Sequence, residues 1–273
     1  LTAMAAQNMP AAEVDVTYDV VRALLAAQHP DLAALPLDRL AFGWDNVVYR
    51  LGDELTVRLP RRQLGADLVE HEQRWLPELA GTLPIPIPAP VRFGTPAHGY
   101  PWRWSVCPYF AGELAADAPL ADPTVEAERL GEFLAALHRP APADAPVNEF
   151  RRGQPIAEFV PRIEANLARL GTGPERTMSD LARSGTGPER AMSEVVGERL
   201  AELADVEEWA GPALWVHGDL HTANVVVADG RIAAVIDFGD ITAGDPAVDL
   251  AIAWMLFDEA DRAVFRRAAG AEI

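Results

Sequence analysis

The chain has 273 residues, 49% of them hydrophobic and 23% charged. That length can bury a sizeable core in one large domain or two lobes, and the composition is ordinary for a globular enzyme. The formal net charge of −18 excludes a nucleic-acid binder, which needs a basic face; it suits a cationic small-molecule substrate or a generally acidic surface. No apolar run reaches the ~18 residues of a membrane span, so no membrane partner is expected. No basic residue precedes Arg22 and no apolar signal core is present, so the chain is expected to be cytoplasmic, and the single Cys107 fits a reducing compartment. Every one of the 23 cationic residues is Arg.

Residues 1–16 carry little pattern and predict a mobile end. Thr17 is a candidate N-cap, and Tyr18, Val21, Leu24 and Leu25 follow at helical spacing up to Pro30. Leu37 to Pro60 predicts strands. Residues 42–46 and Gly52-Asp53 are turn-forming breaks, Val47 to Leu51 are strand formers, and Leu55 to Leu59 alternates apolar and polar. Asp67 to Leu79 predicts a helix with Leu68, Trp75, Leu76 and Leu79 inward, kinked or ended by Pro77. Pro84 to Pro90 reads as a polyproline-like spacer. Val91 to Phe93 and Trp102 to Cys107 are two more strands. The part before Gly112 is therefore a five-stranded antiparallel sheet with one helix inserted.

After Gly112 the pattern turns helical. Val125 to His138 is amphipathic, with Leu130, Phe133, Leu134 and Leu137 on one face. Ile156 to Leu170, Val195 to Trp209 and Ala251 to Phe257 are further helices. Between the first two of these lies a tandem duplication: Leu167 to Asp180 recurs as Leu181 to Glu194, differing at Leu170/Ser184, Thr177/Ala191 and Asp180/Glu194. Two copies do not make a solenoid, and no GK[ST] follows the Thr-Gly-Pro element, so it is no phosphate loop. It is read as a surface insertion.

The chemistry concentrates in Trp215 to Leu250. His217-Gly218-Asp219 is followed by Asn224, then two strand patterns joined by Asp229-Gly230, then Asp237-Phe238-Gly239, Asp245 and Asp249. A hairpin brings its two ends together, so Asn224 and Asp237 fall side by side. Two hard oxygen ligands at that place can hold Mg²⁺ against nucleotide phosphates. Asp219, on the loop before the hairpin, can orient an acceptor hydroxyl and take its proton.

HGDLHTAN at 217–224, IDFGD at 236–240 and DPAVDLA at 245–251 together resemble the aminoglycoside phosphotransferase family, a branch of the protein-kinase-like fold. Weaker similarity runs from about residue 38 onward. The resemblance implies a two-lobed α+β fold with a five-stranded antiparallel N-lobe over 1–107, a hinge at 108–112 and a mainly helical C-lobe over 113–273. It implies Asp219 as catalytic base, and Asn224 and Asp237 as Mg²⁺ ligands. His217 is expected to brace the loop and Asp249 to bind its backbone. Protein kinases carry Arg where this chain has Gly218, so no activation-loop phosphate is expected to switch the site.

The resemblance further implies a cation on the third strand and a Glu on the following helix, here Arg58 and Glu72, to serve the nucleotide. The usual Lys is replaced by Arg, whose planar fork is not equivalent to an ammonium. At the hinge, Pro108 would offer its C=O and Phe110 its N–H to the nucleotide base, and 42–47 would form the flap over the phosphates. Relatives usually carry further helices after the segment matching Ala251 to Phe257. The implied activity is transfer of the γ-phosphoryl group of ATP or GTP to a hydroxyl of a small, possibly cationic molecule, an aminoglycoside or other antibiotic first. The alternatives are another hydroxylated metabolite (a macrolide, amino alcohol or sugar) as acceptor, or a catalytically weak nucleotide-binding module.

Overall fold

The computed structural model describes residues 10–148, 150, 152–170, 196, 199, 202 and 206–271. The second copy of the duplication, most of the first and most of the expected helix 195–209 lie outside these residues. The chain forms two compact units, one of residues 1–152 with 213–273 and one of residues 153–212. In the second unit, a 3-10 turn at Ile156–Glu158 leads into helix α4, Val160–Leu170, close to the expected helix 156–170.

The first unit opens with α1 (Tyr18–Gln28), capped as expected by the Thr17 hydroxyl accepting from Val20 N. Strands β1 (Leu37–Phe42), β2 (Asn46–Leu51), β3 (Leu55–Pro60), β4 (Arg92–Gly94) and β5 (Trp104–Pro108) form one antiparallel sheet in the order β1-β2-β3-β5-β4. Alternation dictates the layer: Val47, Tyr49, Leu51, Val57 and Leu59 point into a core shared with Val21, Leu24 and Leu25 of α1. Of the end predicted to be mobile, residues 1–9 lie outside the described residues, and residues 13–16 are docked on the sheet. Glu13 N and Val14 N both donate to Arg61 O, Tyr49 Oη donates to Val16 O, and Val16 is buried. A short apolar pair, Val14 and Val16, was enough to dock this segment on the sheet.

Helix α2 (Gln63–Ala80) is longer than predicted and runs past Pro77. Pro77 sits in the last turn, where the missing N–H costs a single intrahelical bond. Gly65 lets α2 start against the β1–β2 turn: a Cβ there would fall 2.6 Å from Asp45 O. Leu76 and Leu79 leave the sheet and enter the second core, together with Ile85 and Ile87 of the proline-rich connector. The connector is thus more than a spacer, and its Pro86 O accepts from Val235 N.

That second core is built on α3 (Pro123–Leu137), whose Leu130, Phe133, Leu134 and Leu137 are fully buried. Around it lie β6 (Glu113–Leu114), β7 (Leu214–Val216), β8 (Val225–Ala228), β9 (Arg231–Val235), β10 (Thr242–Gly244), α5 (Ala247–Leu250), α6 (Ile252–Leu256) and α7 (Glu259–Ala268). Helix α7, which the sequence pattern did not announce, packs on α3. Gly131 permits the approach, since a Cβ would fall 2.6 Å from Phe265 O, and Thr124 Oγ1 donates to Asp261.

Candidate active site

Two ladders clamp two loops together. Strands β8 and β9 form the expected hairpin, with Asp229 and Gly230 both at positive φ, 51° and 74°. A two-residue turn with both central residues at positive φ matches the right-handed twist of the flanking strands. Strands β7 and β10 pair at the other end, Val216 opposite Thr242. Loop 217–224 runs from β7 to β8, and loop 236–241 runs from β9 to β10. With ladders at both ends, the two loops lie side by side. Ile236 N donates to Asn224 O at 2.9 Å, closing the juncture.

Asp249 organises the first loop. Its carboxylate is fully buried and accepts from His217 N at 2.7 Å and Gly218 N at 3.0 Å, with His138 Nε2 at 3.1 Å. These bonds satisfy main-chain donors that no strand reaches. His217 is also fully buried and spans the two loops. Its Nδ1 accepts from Asp219 N at 3.2 Å, so its proton is on Nε2, which donates to Ile236 O at 2.9 Å. His217 and Asp249 therefore make the bracing contacts expected of them. His221 Nδ1 accepts from Ala223 N at 3.2 Å, and its Nε2 lies 3.3 Å from Asn224 Nδ2 and 3.6 Å from Asp219 Oδ2.

Asn224 is buried, and its Nδ2 donates to Asp219 O at 2.9 Å. That fixes the amide and leaves Oδ1 without a partner among the described residues. Asp237 is exposed and held at φ 61°, ψ 64°, an unusual left-handed conformation for a residue with a side chain. Its Oδ1 takes Arg58, and its Oδ2 has no partner among the described residues. The unpartnered donor set, one carboxamide and one carboxylate oxygen, fits Mg²⁺, which takes few protein ligands and completes its shell with water and phosphate.

Arg58 joins the sheet to this loop. From β3 its Nη1 donates to Glu72 of α2 at 2.6 Å and its Nη2 to Asp237 at 2.9 Å. The planar fork gives each carboxylate its own nitrogen. Burial pushes the Glu72 carboxyl up, opposed chiefly by the charge of Arg58. Arg58 itself is pushed upward: burial would lower it, and Glu72 and Asp237 together more than offset that. Two residues of the stretch 42–47, expected as a flap but without a named partner, belong here. Asn46, with its amide oxygen turned inward, accepts from Arg58 Nη2 at 3.1 Å and Nε at 3.2 Å. Asp45 pairs with Arg62 at 2.9 Å, and burial raises its carboxyl. Both lie in a stretch that reads as a turn, and no periodicity marks them.

Pro108 ends β5 opposite Leu55, and Phe110 follows it, half-buried, before β6. Tyr109 N is taken by Glu54 O at 2.7 Å. Gly112, at φ 149°, brings the chain onto β8, where a Cβ would fall 2.4 Å from Val227 O.

The described residues thus bring together Asp219, Asn224, Asp237, Arg58 and Glu72. The Phosphotransferase enzyme family, APH, matches residues 36–272, and the chain belongs to that family. It is a small-molecule kinase with the kinase-like fold. Among solved structures, the GDP complex of wild-type aminoglycoside 2'-phosphotransferase-IIIa is 19% identical with a TM-score of 0.66, over 92% of this chain and 82% of that one. Macrolide 2'-phosphotransferase MphH from Brachybacterium faecium, as apoenzyme, is 25% identical with a TM-score of 0.59, again over 92% and 82%. The streptomycin-ATP-APH(2")-IIa ternary complex is 18% identical with a TM-score of 0.61, over 95% and 84%. No curated protein matches the chain. Among the described residues no helix is long and apolar enough to cross a membrane.

Proposed function

We propose that the protein transfers the γ-phosphoryl group of ATP or GTP to a hydroxyl of a small molecule, with an aminoglycoside or other antibiotic as the first acceptor class. The observation that supports this reading is the clamped pair of loops, in which Asn224 Nδ2 donates to the Asp219 C=O and Ile236 N, next to Asp237, donates to the Asn224 C=O. Asp219 is half-buried, oriented by the bonds to its own N–H and C=O, and available to receive the acceptor's proton. Asn224 and Asp237 would hold Mg²⁺, which neutralises charge on the β- and γ-phosphates when bound. Arg58, held by Glu72, stands between the sheet and Asp237 and would meet the phosphates. The connector 108–112 would present the Pro108 C=O and the Phe110 N–H to the base. The similar solved structures support a nucleotide donor and hydroxylated acceptors: they include a GDP complex, a streptomycin-ATP ternary complex and a macrolide 2'-phosphotransferase.

The test is phosphoryl addition by mass spectrometry, across aminoglycosides, macrolides and hydroxylated metabolites, with MgATP and MgGTP. Addition that vanishes in Asp219→Ala is the expected result. Addition only to a non-antibiotic metabolite would move the acceptor class. Nucleotide binding with no Asp219-dependent turnover on any acceptor would overturn the phosphotransfer mechanism.

A further inference from the structure

One cation reaches the acceptor side of the site, and neither the motifs nor the loop architecture requires it. Arg152 Nη2 lies 2.9 Å from Asp219 Oδ1, and Arg152 Nε lies 3.5 Å from Asp240 Oδ2. The guanidinium therefore pairs closely with Asp219 and lies within charge-pairing distance of Asp240, its buried Nε making no hydrogen bond among the described residues. The second of these is also fixed from the other side: Asn148 Nδ2 donates to Asp240 Oδ1 at 2.8 Å. The backbone approach to Arg152 is built in. Asn148 N donates to Thr242 Oγ1, which pins the chain to β10 four residues before Arg152, and Asn148 Oδ1 accepts from Phe150 N, which turns the chain toward it. Gly218 clears the way, because a Cβ there would meet Arg152 Cβ at 3.2 Å and Asp240 O at 2.5 Å.

We propose that Arg152 is a specificity-determining residue of the acceptor subsite: by occupying the space between Asp219 and Asp240 it selects a hydroxyl whose neighbouring carbons carry no ammonium group. The inference rests on Asp219 facing the acceptor, as proposed above. Asp219 Oδ1 is taken by Arg152, so Oδ2 is the oxygen left for the hydroxyl. Any group next to that hydroxyl lies close to the guanidinium. Two carboxylates alone would attract a polyamine, whereas two carboxylates beside a fixed cation leave one net negative charge and a like-charge neighbour for any incoming ammonium. Amines on distant parts of the acceptor are unaffected, because solvent and salt screen them.

The experiment compares wild type, Arg152→Gln and Arg152→Lys. It measures kcat/KM for kanamycin or gentamicin against a neutral oligosaccharide, and, by calorimetry, the affinity of spermidine, which has no hydroxyl and reports charge alone. In Arg152→Gln the polyamine-to-neutral ratio and the spermidine affinity are each expected to rise about tenfold, while Arg152→Lys restores wild-type values within about threefold. Thermal denaturation of the three proteins controls for folding, and Arg152→Met replaces Arg152→Gln if the latter is unstable. An unchanged or lowered spermidine affinity in the charge-removing variant overturns the proposal. If wild type transfers to nothing, the phosphotransfer reading of the site fails separately, and the spermidine arm still decides whether Arg152 sets its charge.

Discussion

Loop 217–224 and the cluster around Arg58 face the same space and are stabilised in different ways. In the loop, neutral main-chain donors are satisfied by groups with little freedom to move: Asp249 takes His217 N and Gly218 N, and His217 ties Asp219 N to Ile236 O. In the cluster, charges hold one another: Arg58 is shared between Glu72 and Asp237, one of them buried and the other exposed. The loop is preorganised whatever is bound. The cluster has spare valence, the open Oδ2 of Asp237 and the elevated carboxyl of Glu72, and so responds to what binds. A transfer site needs both, a rigid base and an electrostatic cradle completed by the nucleotide.

The sharpest way to break this contrast is Asp219→Ala. Acceptor-dependent turnover is expected to fall by about 10²–10⁴-fold with nucleotide affinity retained, read by steady-state kinetics beside calorimetry. Equal loss of both would mean that the loop and the cluster are one unit. Next comes Asp249→Ala, which strands two buried N–H groups and should lower unfolding stability by about 3 kcal/mol, measured by urea denaturation. A change below ~1 kcal/mol would remove Asp249 as the organiser of the loop.

Gly218→Ala is expected to cost roughly 2 kcal/mol, since Gly218 sits at φ 84° with Asp240 O in the way of a Cβ. Arg58→Lys tests the fork. An ammonium lacks the two separate, planar nitrogens with which Arg58 serves its two carboxylates, so nucleotide affinity should drop about tenfold while stability changes less than in Asp249→Ala. The smallest effect is in pH dependence. The folded Glu72 carboxyl is raised above its ordinary 4.5, so the folded state holds the proton more tightly than the unfolded one. The stability this brings is present below 4.5 and lost as pH rises through the elevated value. The nucleotide-free protein should therefore lose melting temperature over that interval, and Glu72→Gln should flatten the loss.

Much of the loop side was legible in the chain. His217, Asp219, Asn224 and Asp237 lie close in sequence, and Asp229-Gly230 announces the hairpin that places them. The cluster was legible only through resemblance, since Arg58 and Asp237 are 179 residues apart and no local pattern links them. Asn46, Asp45 and Arg152 were not legible at all. Each is a polar residue in a turn, at a strand's first position or in a loop, and its partner is chosen by how segments distant in sequence come together. The same reason explains α7 and the docked segment 13–16, whose few apolar residues gain their place from a surface that exists only once the sheet or α3 has formed.

What the sequence by itself determined is the set of local units: the antiparallel strands, the hairpin, the capped helices and the order of oxygen donors along one short stretch. Periodicity and turn chemistry act over a few residues, so they can be read there. Tertiary structure alone decided which charges meet. The β7–β10 ladder sets the two loops side by side, α2 and loop 236–241 each bring one partner to Arg58, and the bond from Asn148 to Thr242 of β10 brings the chain toward Asp219 where Arg152 pairs with it. Electrostatic partnership depends on distance in space at the scale of a few ångströms, and the folded packing sets that distance.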